Sequence, residues 1–216
     1  ELFHGRTLAF KDLALSLFSY LLTAAKKQER EDRDILILTA TSGDTGKAAL
    51  EGFKDVDGTN IMVFYPSEGV SPMQKQQMQK QEGENVKVSA IYGNFDDAQS
   101  FLKRVFTNEE VNAYANDKGV LFSSANSINI GRLFPQIAYY VSTYVSLVDN
   151  GAIAEDEPFD VVVPTGNFGN ILAGYFAKKM GVPIGKLICA SNKNNVLADF
   201  FATGVYNMNR EFYTTD

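Results

Sequence analysis

The sequence is short of the side chains that several common kinds of site require. Its 216 residues include one cysteine, Cys189, and one histidine, His4. One cysteine cannot form an internal disulfide, and because Cys189 lies in the apolar run 186–190 we expect a buried thiol on a strand. One histidine gives little support to a Ser-His-Asp triad or to a histidine-based metal cluster, so no metal site is predicted. A structural polar role is favoured for His4.

The chain also lacks a long apolar run and an excess of positive charge. No segment reaches the roughly 20 apolar residues of a membrane span, and the nearest candidate, 133–148, is interrupted by Pro135 and Gln136. The formal net charge of −6 argues against a general nucleic-acid binder, whose phosphate contacts need a basic face. We therefore expect neither a membrane nor a nucleic-acid partner, although a local cationic pocket for a small anion stays possible. The single cysteine is compatible with a reducing cytosol, so we expect a cytoplasmic protein; the sequence does not determine its oligomeric state.

Length and composition are those of an ordinary globular protein. Hydrophobic residues make up 45% and charged residues 21% of the chain, which permits a sizeable core in one large domain or two small ones. The sequence opens at Glu1 without Met and without a signal-peptide pattern. We therefore expect an internal piece of a longer protein.

Strand-like and helix-like segments alternate along the chain. A continuous apolar run predicts a strand at 35–39, and largely apolar segments predict further strands at 60–65, 86–91, 120–123, 159–163 and 186–190. Helices are predicted at 13–25, 47–54, 72–81, 95–106, 109–117, 133–148 and 171–180, the first of them buried nearly all round. This order predicts an α/β fold with a parallel sheet covered by helices on both faces, and ligands at the carboxyl ends of the strands. We expect two interleaved domains, 34–123 forming the smaller one and 1–33 with 124–216 the larger one.

Two loops follow predicted strands and open predicted helices. The first, Pro164-Thr-Gly-Asn-Phe-Gly-Asn170, offers main-chain N–H groups and a helix start to an anion, and its glycines permit close approach. A simple strand-to-helix turn is the alternative. The second, Thr41-Ser-Gly-Asp-Thr-Gly-Lys47, fails as a nucleotide P-loop because Thr41 replaces the first glycine and Ala48 the Ser/Thr. Its small hydroxyl residues suit a carboxylate or phosphate, or else only cap a helix.

Two cationic residues stand at helix starts. Lys11 follows Phe10 and precedes an apolar helix, so it is either a surface lysine with a buried stem or a buried functional amine. Arg132 follows Asn126 and Ser127 in a segment between a strand and a helix, where it could clamp a phosphate or lie on the surface. An enzyme that depends on pyridoxal phosphate (PLP) requires a reactive amine and two anion-binding loops such as these.

Six ordered blocks together resemble the threonine synthase family. They are Glu-Leu-Phe-His-Gly-x-Thr-x-Ala-Phe-Lys-Asp (1–12), Thr-Ala-Thr-Ser-Gly-Asp-Thr-Gly (39–46), Ser-Pro-Met-Gln-Lys-Gln-Gln-Met (71–78), Gly-Asn-Phe-Asp-Asp (93–97), Asn-Ser-Ile-Asn (126–129) and Pro-Thr-Gly-Asn-Phe-Gly-Asn-Ile (164–171). The resemblance covers residues 1 to about 195. It implies the three-layer sandwich of the tryptophan synthase β-like PLP enzymes.

The resemblance also implies a role for each matching residue. Lys11 would carry PLP as a Schiff base and act as the catalytic residue. The remaining cofactor-binding residues would be Asp44, Gly166, Asn167, Phe168, Gly169 and Asn170. Those around the substrate would be Thr41, Ser42 and Thr45 at its carboxylate, and Asn126, Ser127 and Arg132 at its phosphate. One departure is Arg6, which stands where the family usually has proline.

The implied reaction converts O-phosphohomoserine and water to threonine and phosphate. PLP would act as the electron sink, and Lys11 would move protons once substrate displaces it. One alternative is another PLP lyase of the same fold, such as an amino-acid dehydratase, whose substrates carry no phosphate. The other is a catalytically silent threonine-synthase-like protein that binds a phosphorylated ligand.

Overall fold

The computed structural model describes residues 4–211 and 213. The strands are β1 Asp34–Ala40, β2 Thr59–Pro66, β3 Val86–Ile91, β4 Val120–Ser123, β5 Phe159–Pro164 and β6 Ile184–Ala190. The helices are α1 Lys11–Gln28, α2 Asp44–Phe53, α3 Pro72–Gln79, α4 Phe95–Thr107, α5 Glu109–Asp117, α6 Ile130–Leu133, α7 Ile137–Asp149, α8 Gly169–Lys179 and α9 Val196–Thr203. Each predicted strand and helix is present in this order, with bounds shifted by a few residues.

The first four strands form a parallel sheet in the order β3-β2-β1-β4. The central strand β1 is apolar on both faces because helices cover both. Ile35 and Ile37 pack in a core cluster with residues of α1, α2 and α3, while Leu38 and Ala40 pack against Ala98 and other residues of α4. Successive side chains of one strand are therefore buried on opposite faces, each under its own helices.

Local signals account for where several helices begin. Ser71 caps α3 by accepting a hydrogen bond from the main-chain N–H of Gln74 at 3.2 Å, with Pro72 in the first turn. Asn94 and Asp97 form a reciprocal capping box at the start of α4. These caps satisfy N–H groups that have no partner within the helix, so the starts of both helices could be placed from the sequence.

A second, two-stranded parallel sheet is formed by β5 and β6. Its inner side chains, including Val163, face α8, while Val162 and Ile188 on the outer face are exposed. Cys189 is half-buried on β6, so the expected buried thiol is corrected to a partly accessible one. Its Sγ lies 3.2 Å from Oγ1 of Thr165.

The chain divides into two compact units, residues 1–135 and 136–216. The four-stranded sheet lies in the first unit and the two-stranded sheet in the second. All strands of the larger sheet fall within 34–123, but the predicted interleaving of 1–33 with 124–216 stays a prediction. The first three residues of the block 1–12 lie outside the described residues.

Three predictions about helices were wrong in part. The single helix expected at 133–148 is divided into α6, a 3₁₀ turn at Phe134–Gln136 and α7. Pro135 explains the break, since proline lacks the N–H that a continuous helix requires. Helix α9 was not predicted. Helix α1 is not buried all round in the described chain, because Leu17 and Tyr20 on its outer face are exposed.

Candidate functional site

Lys11 is the first residue of α1, and its side chain is largely buried at 19% exposure. Its Nζ donates a hydrogen bond to Oδ1 of Asp44 at 2.5 Å and lies 5.4 Å from the centre of the Phe10 ring. A lysine with a long stem pointing into water would show neither contact. The structure therefore favours the functional-amine interpretation of Lys11 over the surface one.

The turn before Lys11 is held by Asp12. The Asp12 carboxylate accepts hydrogen bonds from the main-chain N–H groups of Thr7 at 2.9 Å and Ala9 at 3.4 Å, and from the Thr7 hydroxyl. A Cβ on Gly5 would lie 2.2 Å from Oδ2 of Asp12, so this turn requires glycine. Asp12 and Thr7 were not identified from the sequence. The only sign of this pairing in the sequence was that Thr7 and Asp12 both belong to the first block, five residues apart.

Arg6 lies in the same turn and anchors it to α2. Its Nη1 donates to Oε1 of Glu51 at 2.9 Å, and the Glu51 carboxylate also accepts from Gln81 at 3.1 Å. Burial tends to raise the pKa of Glu51, but the hydrogen bonds from Arg6 and Gln81 outweigh it and lower the pKa. Glu51 and Asp44 are seven residues apart on α2, so they share a face of that helix. Arg6 and Lys11 thus contact the same face of α2.

The loop that precedes α2 folds around the hydroxyl of Thr41. This residue is 2% exposed, and its Oγ1 accepts from the main-chain N–H groups of Gly43 and Gly46 at 3.1 Å each. The hydroxyl donates in turn to the Gly43 carbonyl at 3.0 Å. Thr41 therefore holds the loop in shape, as the capping interpretation expects, whereas Ser42 is exposed and Thr45 is half-buried.

Asn126 ties the ends of β1 and β4 together. Its Oδ1 accepts from the main-chain N–H of Ala40 at 3.1 Å, and its Nδ2 donates to the Ala40 carbonyl at 2.8 Å. Both ends of the amide are thus engaged by one residue of β1, immediately before the loop that Thr41 closes. The neighbouring Ser127 is exposed.

Arg132 is a buried cation on α6, at 5% exposure. Its Nη1 donates to the Ala125 carbonyl at 2.7 Å. Burial lowers the pKa of Arg132 from its ordinary value, and the Asp44 carboxylate opposes that shift. Asp44 therefore acts on both cations, Lys11 and Arg132. The predicted surface alternative for Arg132 does not agree with this burial.

The loop after β5 exposes its main chain. Gly166 has φ +43° and Phe168 has φ +63°, and the Phe168 N–H donates to the Thr165 carbonyl at 2.8 Å. A bulky residue at positive φ is strained, and such strain is often found at ligand sites. The Phe168 ring stacks on Phe201 of α9, with ring centres 5.4 Å apart, which helps to hold this conformation.

The space beside this loop suits a phosphate. Within the described part of the chain, a Cβ on Gly169 would meet no atom within 4 Å, so these residues leave open space beside the first turn of α8. Gly169 does not have the positive φ of Gly166. Asn167 is exposed, and the Asn170 side chain is engaged by Tyr140 and Gln136. The start of an eleven-residue helix with main-chain N–H groups and room for a ligand fits the phosphate of PLP.

The predicted site residues therefore fall into two groups. The first unit brings together Lys11, Asp44 and Arg132, with the closed loop at Thr41 and the bridge at Asn126 beside the ends of β1 and β4. The second unit contains the loop of residues 166–170. Across residues 4–211 and 213, none of the helices combines the length and apolar character needed to cross a membrane.

Comparison with known proteins adds to this geometry. The family described as pyridoxal-phosphate dependent enzyme matches residues 1–214. Threonine synthase-like 1 of Homo sapiens is 44% identical over 214 residues, which are 96% of this chain and 28% of the human protein. Threonine synthase of Saccharomyces cerevisiae is 42% identical over 212 residues, which are 95% of this chain and 40% of the yeast protein.

A solved structure is similar over the whole chain. The X-ray structure of PLP-bound threonine synthase from Brucella melitensis shares 41% identity with a TM-score of 0.84, covering 100% of this chain and 44% of that one. The predicted α/β fold with parallel strands is thereby confirmed. The chain spans between 28% and 44% of the length of these three proteins.

Proposed function

The chain belongs to the family of pyridoxal-phosphate dependent enzymes, and on that premise we propose that the protein containing it is a threonine synthase. The proposed reaction converts O-phosphohomoserine and water to threonine and phosphate. The observation that carries the proposal is the largely buried Lys11, whose Nζ lies 2.5 Å from Asp44. The relatives named threonine synthase, at about two-fifths identity, support the choice of this reaction within the family.

Lys11 is the proposed attachment point and proton carrier. Bound PLP supplies an electron sink that stabilises negative charge on the substrate carbon chain. Nζ of Lys11 would hold the cofactor and would take and return protons during the reaction. Asp44 orients Nζ by their hydrogen bond, and the turn held by Asp12 places Lys11 at the start of α1. We propose that residues 166–170 hold the cofactor phosphate through the main chain of their loop.

The substrate groups are assigned to the first unit. We propose that Ser42 and Thr45 contact the substrate carboxylate, because neither hydroxyl is engaged like that of Thr41. Thr41 contributes by holding the loop that carries them. At the substrate phosphate we propose Arg132 as the cation and Ser127 as a donor. Asn126 acts there by setting the end of β1, since its amide is bonded to Ala40.

A catalytically silent protein is the second candidate function. A relative named threonine synthase-like 1 is 44% identical, and the buried Arg132, which could bind a phosphorylated ligand, ranks this candidate above a dehydratase, whose substrate carries no phosphate. A silent protein would bind a phosphorylated ligand without turnover. The cytoplasmic location also remains our proposal, supported by a composition that suits a reducing compartment.

The test uses the full-length protein. Incubation with PLP, reduction with sodium borohydride and peptide mapping should place a pyridoxyl label on Lys11. Addition of O-phosphohomoserine should then release phosphate and form threonine in equal amounts. A label on Lys47 or Lys75 would contradict the assignment of the attachment point. A label on Lys11 without turnover would support the silent protein instead.

A further inference from the structure

A tyrosine that lies outside the candidate phosphate-binding loop, residues 166–170, contacts the first turn of α8. Tyr140 on α7 is 6% exposed, and its single O–H is shared between the main-chain carbonyl and Oδ1 of Asn170, each 2.8 Å from Oη. Its ring lies against Gly174, where a Cβ would be 2.9 Å from ring atoms Cε1 and Cζ. Asn170 and Gly174 are four residues apart, so ring and hydroxyl contact one face of α8.

The same contacts fix the orientation of the Asn170 amide. Its Oδ1 accepts from Tyr140, and its Nδ2 donates to Oε1 of Gln136 at 3.0 Å. An asparagine side chain has one acceptor oxygen and one NH₂ group, so both ends are engaged by residues before and within α7. Because the side chain is fixed in this way, the main chain of the first helical turn is fixed with it, and there the N–H of Asn170 has no intrahelical partner and can donate to a ligand.

The phenol of Tyr140 is suited to this contact. Burial raises its pKa to about 12, so the hydroxyl keeps its proton at any pH at which the protein would work. It therefore acts as a hydrogen-bond donor throughout. The ring, which packs on Gly174, prevents the hydroxyl from moving away from Asn170. The contact is both persistent and directional.

We propose that Tyr140 is a positioning residue for the cofactor phosphate. By holding Asn170 together with Gln136, it keeps the first N–H groups of α8 directed at the open space beside Gly169. The inference rests on the proposed function, because it assumes that this space receives the phosphate of PLP. Donors that are already oriented bind an anion more tightly, since no ordering cost is incurred on binding. Loss of the hydroxyl should thus weaken binding of the phosphate group specifically.

The experiment compares two ligands and two tyrosines in the full-length protein. The apparent Kd is measured by absorbance titration for PLP and for pyridoxal, which lacks the phosphate. Tyr140→Phe should raise the Kd for PLP roughly threefold to tenfold, the size expected for one hydrogen bond, and leave the Kd for pyridoxal unchanged. Tyr144→Phe is the matched control on the same helix. Its Oη accepts from the Asp156 N–H at 3.0 Å, and neither Kd should change.

The possible outcomes distinguish a failure of the proposed function from a failure of the role proposed for Tyr140. A wild-type protein that does not bind PLP would overturn the proposed function and this role with it. A wild-type protein that binds PLP beside a Tyr140→Phe variant with unchanged Kd, or with equal weakening for both ligands, would overturn the positioning role alone. If Tyr140→Phe does not fold, Tyr140→Met replaces it, because methionine keeps an apolar side chain against Gly174 and removes the hydroxyl. The same selective weakening is expected there, and unchanged PLP affinity would overturn the role.

Discussion

The two candidate regions use their polar groups in opposite ways. At the ends of β1 and β4, side chains already bond to one another or to the main chain: Lys11 to Asp44, and Asn126 to Ala40. In the loop 165–169 the main chain is exposed and the space beside Gly169 is open. The first region therefore depends on charges and hydroxyl groups whose positions are set by packing. The second depends on backbone conformation. Substitutions should affect chemistry in the first and cofactor affinity in the second.

The largest effect that would test this contrast is expected from Lys11→Ala. The variant should lose covalent attachment of PLP entirely, because no other amine in the described residues is assigned that role, while noncovalent binding through the phosphate persists. Mass spectrometry after borohydride reduction measures the attachment. Lys75→Ala, which removes a weak 3.4 Å contact to the Ser67 carbonyl, is the control. A labelled Lys11→Ala protein would contradict the division of roles.

A smaller but still large effect is expected from Arg132→Lys. Lysine cannot reproduce the planar guanidinium that donates to the Ala125 carbonyl and that we propose to bind the substrate phosphate. Turnover of O-phosphohomoserine should fall on the order of 100-fold, as for a misplaced leaving group. PLP binding, measured by titration, should be unchanged. Equal loss of PLP binding would show that Arg132 supports the fold rather than the substrate, and the contrast between the regions would weaken.

Substitutions of two glycines in the second region should distinguish a requirement for backbone conformation from a requirement for close approach of the ligand. Gly166→Ala places a side chain at φ +43° and should cost roughly 1–2 kcal/mol of folding free energy. Gly169→Ala meets open space and should leave thermal unfolding unchanged. It should still raise the Kd for PLP, since the added methyl group occupies the space proposed for the phosphate. A Gly169→Ala protein with unchanged affinity for PLP would show that this loop is only a turn.

The smallest effect is expected from Arg6→Ala, which removes the exposed partner of Glu51. The folded-state pKa of Glu51 is lowered, so its contribution to stability is present above the ordinary glutamate pKa and is lost as pH falls through the folded value. The melting temperature should therefore fall slightly in the variant near neutral pH, and the difference should vanish in acid. Lys54→Ala serves as a surface control. A difference that persisted in acid would exclude Glu51 as its cause.

Much of the fold followed from local patterns, and the parts that failed had one local and one nonlocal cause. The apolar runs and the caps at Ser71 and Asn94 located strands and helix starts, because these signals involve residues within one turn of each other. Pro135 was visible in the sequence, yet the apolar pattern around it suggested one continuous helix. The exposed outer face of α1 could not be predicted. A helix that is apolar on all sides is expected to be buried on all sides, and the sequence does not show which side other segments cover.

The sequence by itself determined the order of elements and the position of the two loops, and it supplied the proposal for Lys11, because periodicity, glycine spacing and ordered motifs are properties of neighbouring residues. Only the tertiary structure decided how the polar groups are used. Lys11 and Asp44 are 33 residues apart, Tyr140 and Asn170 are 30 apart, and Asn126 reaches Ala40 across 86 residues. The packing of strands and helices sets those distances. It therefore decides that Thr41, Asn126 and Asn170 hold the structure with their side chains, a role that their residue types alone do not distinguish from ligand binding.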